Sequence, residues 1–103
     1  IDMLERVEKT ILSAIAEVAE SVEVSELVHA NKDTFLFGSD GCLDSLGIVL
    51  LVTEVEEAIF DEFNVDITLA DDRAMSQKSS PFISVNSLVL YTVDILSSME
   101  LKN

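Results

Sequence analysis

Asp44-Ser45-Leu46-Gly47-Ile48-Val49-Leu50-Leu51-Val52-Thr53-Glu54-Val55-Glu56-Glu57-Ala58-Ile59-Phe60-Asp61-Glu62-Phe63 is the stretch whose reading decides the fold. Ile48, Val52, Val55, Ile59 and Phe63 recur at steps of 4, 3, 4 and 4 residues, the period of one buried helix face. Glu54, Glu57 and Asp61 fall on the opposite side, with Glu56 and Glu62 beside them. Asp44 is suited to the N-cap, where its carboxylate accepts backbone N–H groups and meets the positive end of the helix dipole. The spacing predicts a helix over about 44–63. Leu46, Val49, Leu50 and Leu51 are too many apolar residues for one stripe, so some of them must lie off the core face.

Outward from this segment, helical periodicity recurs on both sides. Leu4, Val7, Ile11, Ile15 and Val18 form an apolar face upstream, and the pattern weakens after Ala19. Downstream, Ser84 is a plausible N-cap for a last helix whose face holds Val85, Leu88, Val89, Val93 and Leu96, with Tyr91 among them. Thr68 and Asp71 resemble a capping box that would open a short helix through Asp72-Arg73-Ala74-Met75. Residues 28–43 read as a long connection with its strongest turn signal at Gly38-Ser39-Asp40-Gly41. Such a connection needs side chains to pin it, and Phe35 and Phe37 are suited to that, each stabilising by roughly 1.5–3 kcal/mol if buried. The expectation is an all-α, single domain over 1–103: three main helices plus a short one, a four-helix bundle.

Composition narrows the class. With 20 Asp+Glu against 6 Lys+Arg, the net charge is −14. A nucleic-acid binder needs a basic face to displace counterions, and an anionic membrane repels this chain. Yet 49% of residues are hydrophobic, too many for an acidic disordered tail. No apolar run approaches the roughly 20 residues that cross a bilayer, so no membrane insertion is expected. A single Cys cannot close an internal disulfide, which favours a reducing, cytoplasmic setting. Three Gly and one Pro offer little turn material for many strands.

The chemistry centres on Ser45. It falls at the first residue of a helix at the tip of a long loop, where N–H groups and the dipole favour a phosphate or phosphodiester. The chain's one His, His29, is not placed to activate it, so a self-activated nucleophile is disfavoured and covalent modification by another enzyme is favoured. Leu43 occupies the first Gly position of a G-x-S-x-G elbow, which argues against a serine hydrolase. Ser39, Asp40 and Asp44 do not follow the twelve-residue calcium-loop pattern, and no metal site is expected. Cys42 reads as a small apolar residue.

Asp44-Ser45-Leu46 after a Gly-bearing loop, the acidic pair Glu56-Glu57, Phe63-Asn64-Val65-Asp66-Ile67 and Ile83-Ser84-Val85 with Leu88 and Tyr91 together resemble the acyl carrier proteins, the phosphopantetheine-binding carrier family. The resemblance covers most of the chain. It implies the acyl-carrier type of four-helix bundle and a 4′-phosphopantetheine arm on Ser45, with Asp44 and Leu46 flanking the attachment. It implies no enzymatic activity of the chain's own: an acyl group would ride as a thioester on the arm, in lipid, fatty-acid or secondary-metabolite biosynthesis. The implied partners are a phosphopantetheinyl transferase, a loading ligase, and acyltransferases or synthases with basic patches. These would dock on Leu50, Glu54, Glu56, Glu57 and Asp61 of a monomeric carrier.

The chain departs from the family pattern in ways that point to a specialised carrier. Gly47 and Leu50 stand where carriers of general fatty-acid synthesis usually have acids. The second helix is longer by about a turn, and the segment Asp71 to Pro81 is also longer than the family norm. An aminoacyl, D-alanyl or peptidyl carrier fits the same residues, and so does an acidic helical interaction module without a prosthetic group.

Overall fold

The computed structural model describes residues 3–22, 27, 29–36, 43, 45–69 and 82–101. Three helices are present among them: α1 (Met3–Val22), α2 (Ser45–Phe63) and α3 (Val85–Leu101), with no strand. The architecture is all-helical. The expected short helix over 71–75, the Gly38–Gly41 turn and Asp44 lie outside the described residues, as do Phe37 and Cys42. Thr68, expected to cap that short helix, is exposed and not helical.

The core follows from the apolar periodicities. Val7, Ile11, Ile15 and Val18 of α1 are buried, with Ala14 and Ala19 filling the narrower positions beside them. Ile48, Val52, Val55 and Ile59 of α2 and Val85, Leu88, Val89 and Leu96 of α3 join them in one hydrophobic cluster. Each buried aliphatic side chain of this size stabilises the fold by roughly 1.5–3 kcal/mol relative to an exposed one. Leu4 is the exception in α1: it shares the stripe's direction, but it lies one turn before Val7 and is exposed. The backbones of α2 and α3 both come within 8 Å of α1 and not of each other, so α1 is the shared hub.

Chain reversals are held by identifiable bonds. α2 ends at Asn64, whose φ of 55° is left-handed and whose N–H donates to the Phe60 carbonyl (2.8 Å). Asn tolerates this conformation better than any other residue except Gly. Beyond it burial alternates, with Ile67 and Leu69 buried and Asp66 and Thr68 exposed, the two-residue period of an extended run. α3 opens with Ser84 as its cap, as expected, within a reciprocal pair. The Ser84 hydroxyl accepts the Ser87 N–H (3.2 Å), and the Ser87 hydroxyl accepts the Ser84 N–H (3.1 Å). Ser87 thus takes the place of the Glu or Gln usual in a capping box.

The long connection is pinned differently from the expectation. Phe35 is 48% exposed, whereas Leu36 is fully buried. The reason lies in the backbone: Phe35 forms an isolated antiparallel bridge with Ser84, and successive side chains of an extended segment alternate. With the Leu36 N–H on Ile83 O (2.6 Å) and the Val85 N–H on Thr34 O (3.0 Å), Leu36 faces the core. The turn before it is made by Asn31, whose side-chain oxygen accepts the Asp33 N–H (2.8 Å).

Candidate functional site

Ser45 is the first residue of α2. Two residues earlier, Leu43 is buried and its N–H donates to Leu36 O (2.9 Å). Because Leu36 is itself bonded to Ile83, the start of α2 is tied through one buried leucine to the residues that open α3. The first turn of α2 contains no acidic residue.

The residues that follow Ser45 leave an apolar surface. Leu46 is 69% exposed, Val49 53% and Leu50 43%, whereas Leu51 of the same run is buried. Further along this face stand Thr53, Glu57 and Asp61, all exposed. The face is apolar at the Ser45 end and acidic toward Phe63.

The five residues expected to form a docking surface divide into two sets. Leu50, Glu57 and Asp61 are exposed. Glu54 and Glu56 are half-buried on the flanks and have intramolecular work. Glu56 Oε2 accepts the Leu69 N–H at 2.7 Å, holding the segment after α2 against the helix. Glu54 lies with Glu17 of α1 in an open cleft of about 470 Å³ between the two helices. Its carboxyl is held above the ordinary value by a hydrogen bond to Glu17, then by partial burial, then by the charges of Glu17 and Glu57.

Phe60 is an exposed residue that the sequence reading passed over, with half its surface open. It follows Ile59 by one position, about 100° around the helix from the core stripe, and that offset is the signal that could have found it. Nearby, the last turn of α2 carries Asp61 and Glu62 and no base, against the helix dipole. Arg6 of α1 supplies the missing cation. Its guanidinium lies 4.5 Å from the centre of the Phe63 ring and 3.4 Å from Glu62 Oε1.

Among the described residues, no cluster of His, Cys, Asp and Glu is arranged to hold a metal ion, and no helix is long and apolar enough to cross a membrane. Comparison with known protein families, with curated proteins and with solved structures finds no match.

Proposed function

We propose that this chain is a carrier protein bearing a 4′-phosphopantetheine arm on Ser45. The observation that carries the reading is the position of Ser45 as the opening residue of α2, directly followed by exposed Leu46, Val49 and Leu50. A phosphodiester fits there, since the start of a helix offers amide dipoles that favour one. When bound, the arm would supply a terminal thiol that holds an acyl group as a thioester. The chain's own part is to fix the attachment point, through Leu43 and Leu36, and to present an apolar collar around it.

In this reading the protein catalyses no bond-making step and works as a monomer in the cytoplasm, within a four-helix bundle whose short helix runs through Asp72-Arg73-Ala74-Met75. Asp44 helps orient the modifying transferase, and Leu50, Glu57 and Asp61 meet basic patches on loading ligases, acyltransferases or synthases. Glu54 and Glu56 contribute charge from the flanks. Gly47 and Leu50 mark a specialised carrier whose cargo is an acyl group or, as the alternative that fits the same residues, an amino acid.

Co-expression with a broad-specificity phosphopantetheinyl transferase, followed by intact-mass measurement, tests this. The parent chain should gain one phosphopantetheine, about 340 Da by the mass of the group, and Ser45→Ala should gain none. No mass gain on the parent, or an unchanged gain on the alanine variant, defeats the carrier reading and leaves the acidic interaction module. Mass analysis of the thioester on endogenous protein separates acyl from aminoacyl cargo.

A further inference from the structure

The segments before and after α2 are fastened in different ways. Before it, Thr34 and Leu36 are tied by backbone bonds to Val85, Ile83 and Leu43. After it, residues 65–69 make one hydrogen bond to the rest of the chain among the described residues: the Leu69 N–H donates to Glu56 Oε2 at 2.7 Å. Otherwise this segment is held by burial alone. Ile67 and Leu69 are buried members of the core cluster, and Val65 packs against it. The segment leaves α2 at Asn64, whose left-handed φ of 55° turns the chain off the helix axis. Its course follows from Glu56. That residue shares a cleft with Thr53, Phe60 and Asp66 and with no residue of α1, whereas Glu54 and Ala58 line the cleft that α2 shares with α1. Residues 65–69 therefore lie along the side of α2 turned away from α1. There the backbones of α2 and α3 stay apart, and a third element has to close the core.

We propose that residues 65–69 form a strap, hinged at Asn64 and latched by Glu56, that opens as a unit and bares the apolar interior beside α2 while all three helices stay folded. Opening the strap breaks one hydrogen bond and uncovers two buried side chains, Ile67 and Leu69. Detaching a helix uncovers a whole stripe of the core, so the strap opens at a lower free energy than any helix. The latch is a charge-assisted bond whose acceptor stands on a regular helix, which makes it the strongest polar fastening the strap has. Glu57, one position on, is exposed and turned about 100° further around the helix, so it does not substitute for Glu56. The device makes no use of Ser45 and stands whether or not that serine carries an arm.

Native-state hydrogen exchange of the full-length, ¹⁵N-labelled, unmodified chain reads the latch directly, because the Leu69 N–H is its donor. In the parent, Leu69 should exchange faster than the central amides of α1 and with little dependence on urea, since a small opening exposes little surface. Glu56→Ala should speed that exchange about 10- to 100-fold, the strength of a hydrogen bond to a charged acceptor. Glu56→Gln keeps an acceptor and should fall between the two. Far-UV circular dichroism should show the helices retained, while Glu56→Ala binds more of the neutral apolar dye Nile red than the parent does. Glu57→Ala removes the same charge one residue away and should leave both readouts near the parent's. Three results would each overturn the strap: Leu69 exchanging at the free energy and urea dependence of the α1 amides, Glu57→Ala matching Glu56→Ala, or dye binding gained only with loss of helix.

Discussion

Glu54 and Glu17 set two like charges against one another across the cleft between α1 and α2. The hydrogen bond to Glu17, together with partial burial and the neighbouring charges, raises the Glu54 pKa above its usual value of 4.5. The folded chain then holds a proton that the unfolded chain has already lost over the interval between the two values. In that interval stability falls as pH rises, and the full penalty stands above the raised value. Glu54→Gln keeps a hydrogen-bonding group and removes the charge. A like-charge contact costs about 0.2–0.5 kcal/mol, and a domain of this size melts about 4–8 °C higher per kcal/mol gained. The variant should therefore melt about 1–4 °C above the parent at pH 8 and should show no gain at pH 4. Thermal melts at the two pH values check this, and an equal gain at both would place the effect elsewhere. Sequence reading identified Glu54 as part of an acidic face, but its partner lies 37 positions away on another helix. Periodicity along one helix carries no information about what the facing helix presents.

Elements were legible to the extent that their signals are local. All three helices stand where apolar spacing puts them, with α2 beginning at Ser45 and α3 immediately after its cap Ser84. Ser84→Ala should cost about 0.5–2 kcal/mol, because it removes the acceptor for the Ser87 N–H while leaving the backbone bridge to Phe35 intact. Urea unfolding should show a lower midpoint for the alanine variant, recovered by Ser84→Asp. An unchanged midpoint would mean that water serves the exposed amide as well as the hydroxyl does. The connection before α2 was misread for a physical reason. Hydrophobic bulk favoured Phe35 as the anchor, but the bridge to Ser84 fixes which residue of the extended run turns inward, and that is Leu36. Such pairing depends on a residue almost fifty positions away. Leu4 fails similarly: the helical wheel gives its direction correctly but says nothing of how far along α1 the packed core extends.

For the molecule as a whole, the charge distribution is the feature most fully readable from sequence. Residues 33–72 hold 11 acids and no Lys or Arg, supplying −11 of the total −14. The structure adds that this charge is shared among different tasks: Glu56 braces the chain, Glu54 opposes Glu17, and Glu57 and Asp61 stand open to solvent. What no linear reading conveys is the arrangement of the helices around α1, which packs on both others while those two keep their backbones apart. That arrangement orders the ways the native state can open. A fluctuation that detaches α2 leaves α1 covered by α3, and one that detaches α3 leaves α1 covered by α2. Only complete unfolding strips α1 of both neighbours at once. Its central amides, around Ile11 to Val18, should therefore exchange with deuterium only through global unfolding, with a free energy equal to that from denaturant melts. Central amides of α2 and α3 should exchange sooner, through separate partial openings. The segment synthesised ahead of the other two helices is thus the one whose loss the native state tolerates last.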